Sequence, residues 1–105
     1  MFVRTEQKEF WGELIEVRDD GIVLLATNSQ DMAHPKSELR FVRYQGIVSS
    51  SIDDSHYSFP NRRAPKPSAR EQLRLLSRFP QGLTPELARQ LLQAYGQTEL
   101  VGDKP

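Results

Sequence analysis

The chain has no cysteine among its 105 residues. That excludes a disulfide framework, a thiolate metal site and a cysteine nucleophile, and it suits a reducing, cytoplasmic setting. Long apolar runs are also missing. The longest, IVLLA from Ile22 to Ala26, falls far short of the roughly 20 residues a membrane-spanning helix needs. The N-terminal MFVRTEQKEF lacks the apolar centre of a signal peptide, so no membrane contact is expected. No Gly-x-Ser-x-Gly elbow and no glycine-rich phosphate loop occurs, and Ser49, Ser50 and Ser51 have no base near them in sequence. The residue types nearest to metal chemistry, Asp31, His34, Asp53, Asp54 and His56, sit in polar stretches without ligand spacing. We therefore expect a protein that is not an enzyme and holds neither cofactor nor metal.

An excess of one charge sign is lacking too, because formal net charge is zero. The distribution is uneven, however. Residues 1–30 carry three basic and six acidic side chains, whereas residues 61–90 carry seven and two. A neutral chain argues against a general nucleic-acid binder, while a local basic segment still permits an anion-attracting patch.

What is present begins with FWGELIEVRDDGIVLLA, Phe10 to Ala26. Aromatic and β-branched residues up to Val17 suit a pleated, half-buried surface. Asp19-Asp20-Gly21 is a hairpin signal, since Asp tolerates and Gly adopts the positive φ of a type I′ turn. Trp11, Glu13, Ile15 and Val17 would share one face and Phe10, Gly12, Leu14 and Glu16 the other. Neither face is cleanly polar. Trp11 is expected in the core.

Thr27 to Glu38 reads as a polar loop. Leu39 to Tyr44 and Ile47 to Ile52 read as a second hairpin turning at Gln45-Gly46, and Phe2-Val3 can add a strand. Four or five short strands within residues 1–52 avoid bare edges by closing, so the expectation is α+β with a small antiparallel β-barrel. Residues 53–67, rich in proline and arginine, read as a linker. Ser68 to Arg78 reads as a helix with Ser68 and Glu71 as a capping box and a stripe of Leu73, Leu76 and Phe79. Thr84-Pro85-Glu86 opens a second helix with Leu87, Ala88, Leu91, Leu92 and Tyr95 on one face and Gly96 at its end. The two would form a helical hairpin over residues 68–96, followed by a polar tail, residues 97–105.

Gly12-Glu13-Leu14, Asp19-Asp20 and the run Ile22 to Leu25, followed by Phe41-Val42-Arg43-Tyr44-Gln45-Gly46-Ile47-Val48, resemble the two strand motifs of the Sm-like family of small, SH3-like β-barrels. The resemblance covers residues 10–52. It implies a barrel, oligomerisation and RNA binding. The family's pocket commonly uses an Asn in the first motif and Arg-Gly in the second. Here the first stretch has no Asn, Gln45 stands in place of the Arg, and only Gly46 carries over.

Two surfaces are candidates for binding. Leu87, Leu91, Leu92 and Tyr95, with Tyr57 and Phe59 on the linker, form an apolar set suited to self-association or to docking on a partner protein. Arg70, Arg74 and Arg78 recur every four residues on one helix face, with Arg62 and Arg63 upstream, and form a basic stripe able to neutralise phosphates of RNA or DNA. A solvated helix face paired with acids of the N-terminal half explains the same arginines. The expected function is a non-enzymatic interaction module, with nucleic-acid binding as the alternative.

Overall fold

The computed structural model describes residues 1–6, 8–28, 36–52 and 63–102. Six strands, β1 (Phe2–Arg4), β2 (Glu9–Val17), β3 (Gly21–Asn28), β4 (Lys36–Arg43), β5 (Ser49–Ser51) and β6 (Val101–Gly102), and two helices, α1 (Pro67–Leu76) and α2 (Pro85–Ala94), make an α+β fold. The sheet order is β5-β1-β2-β3-β4-β6. All neighbours run antiparallel except β4 and β6, which are parallel.

This corrects the expected barrel. The sheet is open and mixed, since its terminal strands β5 and β6 are not paired with each other. Both end strands are very short, three and two residues, and shortness is itself a way to limit an exposed edge without closure. The expected second hairpin is absent as well. A 3-10 turn at Tyr44–Gly46 redirects the chain, and β5 pairs with β1 instead of with β4. Tyr44 is the pivot of that turn. It is buried, its backbone N–H donates to the Asp20 carbonyl at 3.2 Å, and its hydroxyl donates to the Arg18 carbonyl at 2.7 Å.

The β2–β3 hairpin forms where the Asp-Gly signal lies, but by a different turn. Val17 pairs with Ile22, and the Arg18 N–H donates to the Gly21 carbonyl at 2.8 Å. Gly21 does not adopt positive φ. Glycine is required there because a Cβ would collide with the Val42 carbonyl oxygen and the Phe41 ring. The loop after it is shorter than expected, since the β3–β4 ladder runs out to Asn28 opposite Lys36.

A bulge in β2 decides which residues reach the core. Leu14 pairs with Leu24 and Glu16 with Val23, so Ile15 is the extra residue. Beyond it the alternation slips by one. Leu14 and Val17, three apart, enter the same core cluster with Val3, Ile22, Leu24, Val42, Tyr44, Ile47 and Leu73 of α1. Ile15 belongs to a second cluster with Val23, Leu39 and Phe41. Adjacent residues in β3 and β4 alternate between these clusters, so the two cores lie on opposite faces of one sheet. Trp11, expected inside, lies outside: it is 58% exposed and rests against Phe2, ring centroids 4.4 Å apart.

The helices divide between the faces. Leu73 buries α1 in the first cluster, while Leu91 and Leu92 of α2 pack on the second together with Phe79, Leu83 and Leu100. Each helix thus packs on the sheet, on opposite faces of it.

Candidate protein-interaction surface

The segment between the helices, residues 77–84, passes along β2 as a strap. The ladder between β1 and β2 ends at Trp11, which leaves the far side of β2 free beyond Gly12. The strap takes that side. Arg78 N–H donates to the Leu14 carbonyl and Phe79 N–H to the Ile15 carbonyl, both at 3.0 Å. These are the carbonyls at the bulge. The Glu16 carboxylate then holds the strap's far end: it accepts from the Leu83 N–H, and Arg18 Nε donates to it at 2.6 Å. Glu16 is buried, and such a carboxylate is stable because it is paired and hydrogen-bonded.

α1 ends abruptly at Leu76. Its Ser77 cap closes on Arg74, backbone N–H at 3.1 Å and hydroxyl at 2.6 Å to the same carbonyl. The helix is capped two residues earlier than the capping-box reading. Lys66 is the cap and makes no side-chain bond, Pro67 is the first helical residue, and Ser68 falls inside the first turn. α2 is capped as expected. Thr84 Oγ1 accepts from the Leu87 N–H at 3.1 Å. At the other end Gly96 takes φ +69°, with its N–H on the Gln93 carbonyl and the Gln97 N–H on the Leu92 carbonyl.

The apolar residues follow from this course. The stripe read as Leu73, Leu76 and Phe79 is split three ways. Leu73 is buried in one core, Phe79 lies beyond the helix against the other, and Leu76 faces solvent. Leu75 is 70% and Leu76 57% exposed, while Leu87 and Tyr95 on α2 are each 38% exposed. Of the expected contact set, Leu91 and Leu92 are thus turned inward onto the sheet, and Leu87 and Tyr95 remain at the surface. Tyr57 and Phe59 lie outside the described residues. The Leu75–Leu76 pair is absent from the expected contact set, although the signal was there. Leu75 sits about 200° around the helix from Leu73, so one face of α1 cannot bury both.

Of the basic stripe, Arg70 and Arg74 lie one turn apart on α1, Arg78 lies beyond the helix end on the strap, and acids of the β2–β3 hairpin meet all three. Arg70 and Arg74 reach Asp19 at 3.8 and 3.6 Å, Arg74 also reaches Glu71 at 3.4 Å, and Arg78 reaches Glu13 at 3.2 Å. Arg63 is exposed at the foot of α1, and Arg62 lies outside the described residues. Asp31, His34, Asp53, Asp54 and His56 also lie outside them. Burial pushes the Tyr44 hydroxyl up to about 12, a rise that Arg70 and Arg74 nearby oppose and Asp19 and Asp20 reinforce.

The tail does more than trail off. Gln97 clasps β4 with its amide: Leu39 N–H donates to Oε1 at 2.8 Å and Nε2 donates to the Leu39 carbonyl at 3.0 Å. Val101 and Gly102 then pair with Arg40 and Phe41. Among the described residues no helix is long and apolar enough to cross a membrane. Comparison of the chain with protein-family models, curated proteins and solved structures finds no match.

Proposed function

We propose that this chain is a non-enzymatic interaction module that associates with a second copy of itself through the leucines around the helix–strap–helix crossing. One observation carries the reading: Leu75 and Leu76 are adjacent, largely exposed and at the end of a helix whose inward side is already filled by Leu73. Leu87, at the start of α2, adds to the apolar surface at the other end of the strap. Removing such side chains from water favours association at about 25 cal/mol per Å². A chain of zero net charge meets its own copy without net repulsion, and a two-fold contact places the same leucines on each other. The cytoplasmic setting suited to a cysteine-free chain belongs to this proposal.

The alternative, RNA or DNA binding through Arg62, Arg63, Arg70, Arg74 and Arg78, draws support from Arg70 and Arg74, one turn apart on α1. It requires phosphates to displace Asp19, Glu71 and Glu13 from arginines they already meet.

The test is native mass as a function of concentration. The wild-type chain should be heavier than a monomer, and Leu76→Asp should be monomeric with its fold intact. Leu91→Asp, by contrast, should unfold, because Leu91 packs on the second core. A wild-type chain that stays monomeric at every concentration overturns self-association. Salt-sensitive binding of an oligonucleotide, weakened by Arg74→Glu, would put the basic stripe in its place.

A further inference from the structure

Aromatic rings of this sheet carry arginines from their own chain. Arg40 lies over Phe10 with its guanidinium carbon 4.5 Å from the ring centroid. Arg18 and Arg43 stand 5.6 and 5.9 Å from the Phe41 centroid. The pair of half-buried Phe2 and exposed Trp11 breaks the pattern: among the described residues no cation lies over either ring.

The neighbours of Trp11 say what would fit there. Register places Phe2 on one side of it and Thr27 on the other. Along β2, before the bulge, the period of two puts Glu9 and Glu13 on the same face as Trp11. Along β2 itself the charged neighbours of the indole are therefore both carboxylates, while across the ladder Arg4 stands opposite Glu9 and the Met1 ammonium bonds to the Gly12 carbonyl at 2.7 Å. Glu13 already takes a guanidinium, Arg78 Nε at 3.2 Å, with both side chains half exposed. Glu9 is exposed and makes no ion pair among the described residues, although Arg4 stands opposite it in the ladder.

We propose that Phe2, Trp11, Glu9 and Glu13 form a docking site for an arginine-bearing segment of a partner protein, whose guanidinium stacks on the indole and bonds to the Glu9 carboxylate. A guanidinium is planar, weakly hydrated and matched to both groups at once, which an ammonium is not. Directly over the indole a guanidinium is favoured over a phosphate, because Glu9 and Glu13 flank the ring along β2. The proposal rests on the reading of the chain as an interaction module but uses a different surface from the leucines.

The chain contains a single tryptophan, so its fluorescence reports on this site alone. The probes are a seven-residue glycine–serine peptide carrying two arginines, the same peptide with glutamines in their place, and a short single-stranded thymidine oligonucleotide, each titrated at low ionic strength. The arginine peptide should shift Trp11 emission saturably and the glutamine peptide should not. Glu9→Gln, an exposed and conservative change, should lower the affinity about two- to fivefold. Leu76→Asp should bind the peptide as the wild type does, so failure of the leucine surface and failure of this site are read separately. The proposal is overturned by an emission that the arginine peptide leaves unchanged to millimolar concentration, by an equal response to the glutamine peptide, or by a response to the oligonucleotide alone.

Discussion

α1 and α2 have the same length, ten residues, and both open on proline. They use the sheet differently. α1 commits one side chain, Leu73, to complete burial and leaves two leucines in solvent, while α2 buries none completely and spreads Leu91 and Leu92 over the opposite face. α2 is tied at both ends by capping bonds, at Thr84 and at Gly96, whereas the start of α1 is held by no cap side chain. An apolar stripe thus tells that a helix is covered on one side, not which surface covers it.

The sharpest way to break this comparison is at Leu73. Leu73→Ala should cost about 2–5 kcal/mol in denaturant unfolding, since a fully buried leucine leaves a cavity. A smaller loss would mean that α1 is held elsewhere. Next is the strap. Glu16→Gln keeps the shape but weakens both the Arg18 bond and the cap on Leu83, with an expected loss of about 1–3 kcal/mol. The caps then separate the helices. Thr84→Ala should cost about 1 kcal/mol, while Ser68→Ala should be close to neutral because Ser68 lies inside the first turn of α1. The smallest effect belongs to the surface pair: Leu75→Asp and Leu76→Asp should each change stability by no more than about 0.5 kcal/mol.

Alkaline pH tests the pivot of the 3-10 turn, Tyr44, which is buried in the first core. Burial raises the folded Tyr44 hydroxyl from the ordinary 10.0 to about 12. The stability it contributes is therefore complete below pH 10 and is lost as pH rises from 10 toward 12. Tyr44→Phe should flatten that loss in a pH series of unfolding midpoints.

Local chemistry was legible in the sequence. Asp19-Asp20-Gly21 marked a hairpin, Thr84-Pro85-Glu86 a helix start and Gly96 a helix end, because each signal acts within a few residues. What was not legible depends on distant partners. The bulge at Ile15 is held by a strap more than sixty residues on, through Arg78, Phe79 and Leu83. Without it, strict alternation misplaced Val17 and left the choice of face open. β5 has strand-like composition, yet nothing in Ser49–Ser51 says that its neighbour is β1. The barrel was inferred from the need to protect edges, which this chain meets with very short end strands. Of the candidate contact residues, Leu87 and Tyr95 stayed at the surface, and the inward turn of Leu91 and Leu92 followed from a second core on the opposite face of the sheet.

The most direct measurement is the thiol-labelling rate of Leu76→Cys, in a chain that has no other cysteine, followed across protein concentration beside Leu73→Cys. The account predicts fast labelling of position 76 in dilute protein, slowing as concentration rises and a second copy covers it, with position 73 protected throughout. A position 76 that is slow at every dilution would mean the leucine is covered within its own chain, and one that is fast at every concentration would mean that no second copy docks there. Either result would contradict the account.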